Sequence, residues 1–273
     1  KAVGLNVQPG QESANAAEFI SIMKARAEAA GGAPPLPEPP DTTHLTDMAN
    51  RVGNDQLKTI HDYKDRLTKE ASDWQKRGEL IQQREPPWKK LKALLAHAAD
   101  LPVAADVQPE VDAIEQYRRL LDEPDSVPGL ADKLTQALRE ALNQAHAACK
   151  KLQQEGQAML DASATWQQLS LDQQTALTEE YQLDTLPTIA VGTTDEILAT
   201  LTTTRLKEWK TLADALPTRF AQALAAAAKL LEPKAQYVKL TGGTLKNEDD
   251  LRNWLTTTEK QIRDKLKDGP VIL

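Results

Sequence analysis

Four histidines (His44, His61, His97 and His146) and one cysteine (Cys149) are the residues best suited to metal or nucleophile chemistry. No histidine belongs to an HExxH arrangement, and Cys149 has no CxxC partner. His146 and Cys149 lie three positions apart, an acceptable ligand spacing on a helix, but two ligands do not complete a site. A packed cysteine beside a surface histidine is the commoner outcome. The glycine-bearing "KLTGGTLK" lacks the GxxxxGK[ST] spacing with which a phosphate loop brings its lysine to the phosphates, so it reads as a turn before a helix. No GxSxG elbow occurs. Glu248, Asp249 and Asp250 fall in the first turn of a predicted helix, where the macrodipole favours negative charge without any acid–base role. These residues predict a chain with no catalytic, cofactor-binding or metal site. The remaining chemistry is cationic: Lys89, Lys90 and Lys92 beside Trp88, with Arg205 and Lys207 further on, are the candidates for phosphate contact with DNA. Charge runs on helices are more often solvated faces.

The elements that must position these residues are helical. Ala, Leu, Gln, Glu and Lys dominate the 273 residues, and only 12 glycines occur. With 33 basic and 40 acidic residues the net charge is −7, which argues against uniform nucleic-acid coating. The lone cysteine excludes an internal disulfide and fits a reducing cytoplasm. No apolar run is long enough to span a membrane.

Residues 14–30 predict a short amphipathic helix ended by Gly31-Gly32. The proline-rich 31–44 predicts an extended, semi-rigid spacer, and a spacer so early in the chain implies a body upstream of it. From Asn54, the residues Leu57, Ile60, Lys64, Leu67, Ala71, Trp74, Gly78 and Ile81 alternate spacings of three and four. That seam predicts one long helix packed along a partner, broken at "REPPW". Pro87 and Pro109 each suit the first turn of a following helix. Residues 128–165 predict the longest helix, striped by Leu130, Leu134, Ala137, Ala141, Ala145, Ala148, Leu152 and Met159. "SLDQ" at Ser170 carries a capping box, "TIAVG" reads as a short strand, and helices are predicted from Asp195, Thr204 and Pro217, the last stopped by Pro233. The tail reads as strand, helix and strand, with Tyr237–Leu240 beside Val271–Leu273 in parallel and Asn247 capping the helix.

The expected fold is thus mainly α: a long antiparallel helical hairpin or bundle with a small C-terminal α/β element. Its expected divisions are 1–30 (the end of a preceding domain, or a short helix), a linker over 31–44, a helical arm over 45–168, a helical region over 169–235, and the α/β element over 236–273.

Several stretches carry a family resemblance: "PPLPEPPDT", "GNDQL", "PPWKKLKALLAHAADLP", "WQQLS" and above all "LLEPKAQYVKLTGGTLKNEDDLRNWL" with the closing "GPVIL". From about Gly31 onward the chain resembles the C-terminal region of the large P-loop ATPase of BREX phage-defence systems, the BrxC/PglY family. The resemblance implies a bacterial, cytoplasmic defence complex. Its nucleotide motifs lie outside these residues, so ATP and Mg are expected only of the full-length family member. It also implies partners: other copies of the ATPase, the methyltransferase, the phosphatase-like protein or small accessory proteins of the system. An assembly module is therefore the expected role, with Leu57, Ile60, Leu67, Trp74 and Ile81 as its helix-seam interface. A DNA-contacting arm and a purely structural domain are the alternatives.

Overall fold

The computed structural model describes residues 3–5, 10–232, 236–240 and 242–272. The fold is mainly helical, as the composition predicts. In chain order it contains α1 (Glu12–Ala29), α2 (Thr43–Ala49), α3 (Gly53–Asp62), α4 (Lys64–His97), α5 (Pro102–Gln116), α6 (Val127–Ala162), α7 (Ala164–Gln167), α8 (Leu171–Glu180), α9 (Thr194–Thr203), α10 (Leu206–Leu231), β1 (Gln236–Tyr237), α11 (Glu248–Leu266) and β2 (Val271–Ile272). The chain forms two compact units, Lys1–Gln144 with Thr188–Lys207, and Ala145–Pro187 with Glu208–Leu273. Neither unit is contiguous in sequence, so the expected end-to-end divisions do not coincide with them.

The first unit is organised by α4. The expected single helix from Asn54 is interrupted at Tyr63, whose backbone (φ −96°, ψ 8°) separates α3 from α4. The expected break at "REPPW" does not occur, and α4 continues through Pro86 and Pro87. Two prolines remove two backbone donors, yet their fixed φ is already helical. Buried residues on both sides of the pair, Ile81 and Arg84 before it and Trp88 and Leu91 after it, keep the rod continuous. In α5 the first-turn proline is Pro102, and Pro109 lies inside the helix.

The proline segment is not an extended spacer. Pro34–Pro35 is cis, and the Gly32 amide donates to the Pro37 carbonyl at 2.9 Å, which folds the segment back on itself. The Arg118 guanidinium then donates to the Gly32 and Leu36 carbonyls, each at 2.8 Å, and Arg77 donates to the Glu38 carbonyl at 3.2 Å. Carbonyls that prolines leave unpaired are thus satisfied by arginines from elsewhere in the unit.

Arg84 is buried in the same unit. Its guanidinium donates to the carbonyls of Leu120 (3.0 Å) and Asp122 (2.7 Å) and pairs with Glu123 and Asp125. One side chain in this way fixes the "DEPDS" turn between α5 and α6. "TIAVG" is not a strand either. The Ala190 amide and carbonyl both bond the Thr200 hydroxyl, while the Val191 carbonyl accepts from Arg139 at 2.8 Å.

The second unit packs the later part of α6 against α10. Buried Cys149 and Leu160 come from α6, and Trp209, Leu216, Phe220, Ala223 and Ala227 from α10. The buried stripe of α6 as a whole runs through Leu130, Leu134, Leu138, Leu142, Cys149 and Leu160, displacing the expected alanines and Met159. Leucine removes more apolar area from water than alanine, so the leucine face turns inward. Helix α10 runs unbroken through Pro217, and the expected stop at Pro233 lies outside the described residues. The Ser170–Gln173 capping box that opens α8 is present, and a second, Thr193–Glu196, opens α9.

At the C-terminus β1 and β2 pair in parallel, Gln236 with Val271 and Tyr237 with Ile272, joined through α11. The strand–helix–strand order of the tail holds, but the first strand covers Gln236–Tyr237 in place of the expected Tyr237–Leu240, and Leu273 lies outside the described residues. Asn247 caps α11 by accepting from the Asp250 amide at 2.8 Å.

Candidate interaction surface

The expected seam is found, but it is already occupied. Leu67, Ala71 and Trp74 are buried in one cluster with Ile20, Met23, Ala27 and Ala30 from α1 and its end, and with Leu45 and Met48 from α2. Ile60 packs against the same cluster, Ile81 is buried, and Leu57 is half-buried. Gly78, which spoils the heptad as a sequence feature, lies against the end of α1. A Cβ there would stand 3.4 Å from the Ala29 carbonyl oxygen and 3.6 Å from the Ala29 Cβ. Arg26 donates to the Ala71 carbonyl at 3.0 Å. Each fully buried Leu, Ile or Met is worth about 1.5–3 kcal/mol. An outside helix would have to displace several of them at once. The proposed seam interface is therefore corrected: the partner of α4 is α1 of the same chain.

The lysines of the candidate DNA arm do not form an open cationic patch. Lys89 pairs with Glu85 at 2.8 Å, Lys90 with Asp195 at 2.7 Å, and Lys92 with Glu115 at 2.6 Å while lying over the Trp88 ring. Each is matched by a carboxylate, two of them from other helices. Arg205 and Lys207 line a concavity with His97 and Asp100. There, burial and then the Arg205 charge hold the His97 imidazole below its ordinary pKa.

His146 and Cys149 share a neighbour without sharing a ligand site. The His146 ring meets Trp209 edge-on at 5.6 Å, and the Cys149 thiol donates to the Trp209 carbonyl at 3.6 Å. Burial pushes the thiol's pKa up, which disfavours the thiolate that metal binding or nucleophilic attack would need. Among the described residues no three of His, Cys, Asp and Glu are grouped to hold a metal ion, and no helix is long and apolar enough to cross a membrane.

The open apolar surface lies on the C-terminal element. In α11 only Thr258 is buried; Leu251, Leu255 and Leu266 are 40%, 51% and 53% exposed. Beside them Tyr237, Leu245 and Ile272 are exposed as well. Spaced four, three, four and four apart, Leu251, Leu255, Thr258, Ile262 and Leu266 share one face of the helix, with Thr258 buried and Ile262 half-buried at its middle. The Arg252–Glu248 and Arg263–Glu259 pairs supply charge along the same helix. The three leucines toward the two ends of that face stay exposed, which departs from the usual inward-facing arrangement.

No family model, curated protein or solved structure matches this chain.

The sequence shows the α11 stripe plainly. What periodicity omits is which of two stripes the chain covers itself. The α4 seam has α1 and α2 to cover it, and among the described residues α11 packs on β2, a strand of two residues.

Proposed function

We propose that this chain is a non-catalytic helical module from the C-terminal region of a BREX-type P-loop ATPase, acting in assembly of the defence complex through its C-terminal α11 element. The family half of this reading is supported by the stretches quoted above, densest between Leu230 and Leu255 and in "GPVIL". The assembly half rests on one observation, the exposed leucine stripe of α11 on a two-stranded support. Exposed apolar stripes of this kind are how amphipathic helices enter a partner's groove or pair with another helix. The neutralised lysines Lys89, Lys90 and Lys92 make the DNA-contacting arm the weaker alternative.

The test is affinity capture with the full chain as bait, from cells expressing the other BREX components, with nuclease present. Retention of the ATPase or a sister component, lost on Leu255→Lys with Leu266→Lys, is the expected outcome. An empty bait overturns the assembly role. A partner lost on nuclease treatment transfers the role to DNA.

A further inference from the structure

A cleft beside the proline segment gathers cations whose donors the fold leaves largely unused. It lies in the first unit, has a volume of about 450 Å³, and is lined by Lys76 and Arg77 of α4 and by Arg118. Pro37, Leu80 and Leu121 supply its apolar lining. Small-molecule sites have volumes of roughly 300–1,000 Å³ and combine apolar lining with a few convergent polar groups.

Arg118 is the unusual member. Its φ is 55°, and it stands at the left-handed position that ends α5, where the Arg119 amide reaches back to the Ile114 carbonyl at 2.9 Å. Glycine is the usual residue there, because a side chain strains that conformation. Strained residues of this kind gather at ligand clamps. The clasp on the proline segment explains only part of the side chain, since both bonds, to the Gly32 and Leu36 carbonyls, leave from Nη1. Among the described residues Nε and Nη2 donate no hydrogen bond. That edge of the guanidinium is the fork that takes a carboxylate through two parallel bonds.

The chain itself brings a carboxylate near that edge without closing the contact. Glu38 Oε1 stands 4.0 Å from Arg118 Nε, too far for a hydrogen bond, and the Glu38 side chain is largely exposed. Arg77 uses only Nη2, on the Glu38 carbonyl, and Lys76 pairs with no carboxylate among the described residues. Asp73 and Asp122 line the cleft as well, and Asp122 is matched by Arg119 at 3.8 Å. Like-charge repulsion from these two acids disfavours a dianion such as phosphate and leaves a single negative charge as the better match.

We infer that this cleft binds a small monocarboxylate with an apolar body, its carboxylate on Nε and Nη2 of Arg118 and its body against Leu80, Leu121 and Pro37. Glu38 is the internal carboxylate that the ligand displaces. The site belongs to the first unit and stands apart from the assembly reading of α11.

The experiment is NMR of the full chain at its arginine Nε–H signals, titrated with hexanoate, hexanol and inorganic phosphate at matched ionic strength. The Arg118 signal is identified by its loss in Arg118→Lys. Saturable movement of that signal with hexanoate is expected, with hexanol and phosphate each binding about tenfold or more weakly. Arg118→Lys keeps the charge without the fork and should weaken hexanoate, read at the remaining arginine signals of the cleft, by about tenfold. Glu38→Gln leaves both clasp bonds in place and removes the competing charge, so it should bind hexanoate more tightly. Absence of saturation with hexanoate overturns the inference. So does an equal response to hexanol, which makes the cleft an apolar surface, or a stronger response to phosphate, which makes it a general anion patch. A Glu38→Gln chain that binds hexanoate no more tightly than the parent also contradicts it.

Discussion

The ring of Phe220 on α10 occupies the space that a Cβ on Gly156 of α6 would fill. These two helices thus meet in the second unit through a glycine, and the aromatic ring lies against bare backbone. Helix propensity alone favours alanine over glycine by about 1 kcal/mol. Overpacking a closed contact costs about 1–3 kcal/mol, and here the clash is with a fully buried ring.

Gly156→Ala is therefore expected to destabilise the second unit, seen as a lower urea midpoint. Gly129→Ala, in the same helix with nothing within 4 Å of the added carbon, is expected to be neutral or stabilising. Pairing Gly156→Ala with Phe220→Leu should recover part of the loss, since the two substitutions share one space. Equal effects at 156 and 129 would contradict the close contact.

Arg84 provides the second case. Replacing it with methionine keeps most of the buried stem but leaves the Leu120 and Asp122 carbonyls without their charged donor. Hydrogen bonds to a charged group are worth about 1.5–3 kcal/mol each, and Glu123 is largely exposed, so its pair adds little. A loss of about 2–4 kcal/mol in denaturant unfolding of the first unit is expected. Arg84→Lys should rescue it poorly, because a single ammonium cannot reproduce the planar fork.

Arg118→Ala is expected to release the proline segment. Its guanidinium supplies both bonds to the Gly32 and Leu36 carbonyls, and the neighbouring Leu120 amide reaches Pro35 only at 3.4 Å. Limited proteolysis should then cut within residues 31–42 faster than in the parent chain. The fold elsewhere should be unchanged by circular dichroism.

The helices and the C-terminal pairing were legible in the sequence because they rest on short-range chemistry. Ser170 with Gln173, Asn247 as a cap, and the apolar alternation around Tyr237 and Val271 all act within a few residues. What escaped were long-range partners. Nothing near Trp74 in sequence says that Met23 and Met48 will cover it, and nothing near Gly32 says that Arg118 will hold it. The run through Pro86 and Pro87 escaped for the same reason, since distant packing outweighs a local breaker. At the candidate site, the α11 stripe was read as apolar, but periodicity does not say that Leu251, Leu255 and Leu266 stay exposed while Thr258 is buried.

His97 carries the pH dependence. Its folded pKa lies below the ordinary histidine value, chiefly through burial and secondly through Arg205. The unfolded chain therefore binds the proton more readily. The associated stability is present above the ordinary histidine value and is lost as pH falls through the lowered folded value. Side-chain NMR titration should place His97 below the ordinary histidine value, and Arg205→Gln should raise it only partway. No movement on that substitution would remove Arg205 as a cause.

The chain passes between its two units three times, inside α6 at Gln144–Ala145, outside any helix at Pro187–Thr188, and inside α10 at Lys207–Glu208. No single scission of the polypeptide frees either unit whole. Truncation after Gln144 would strip away Asp195 and the Val191 carbonyl, the acceptors for Lys90 and Arg139. Nested deletions would therefore damage both units together, and whatever activity belongs to one of them can be mapped only by substitutions made in the intact chain.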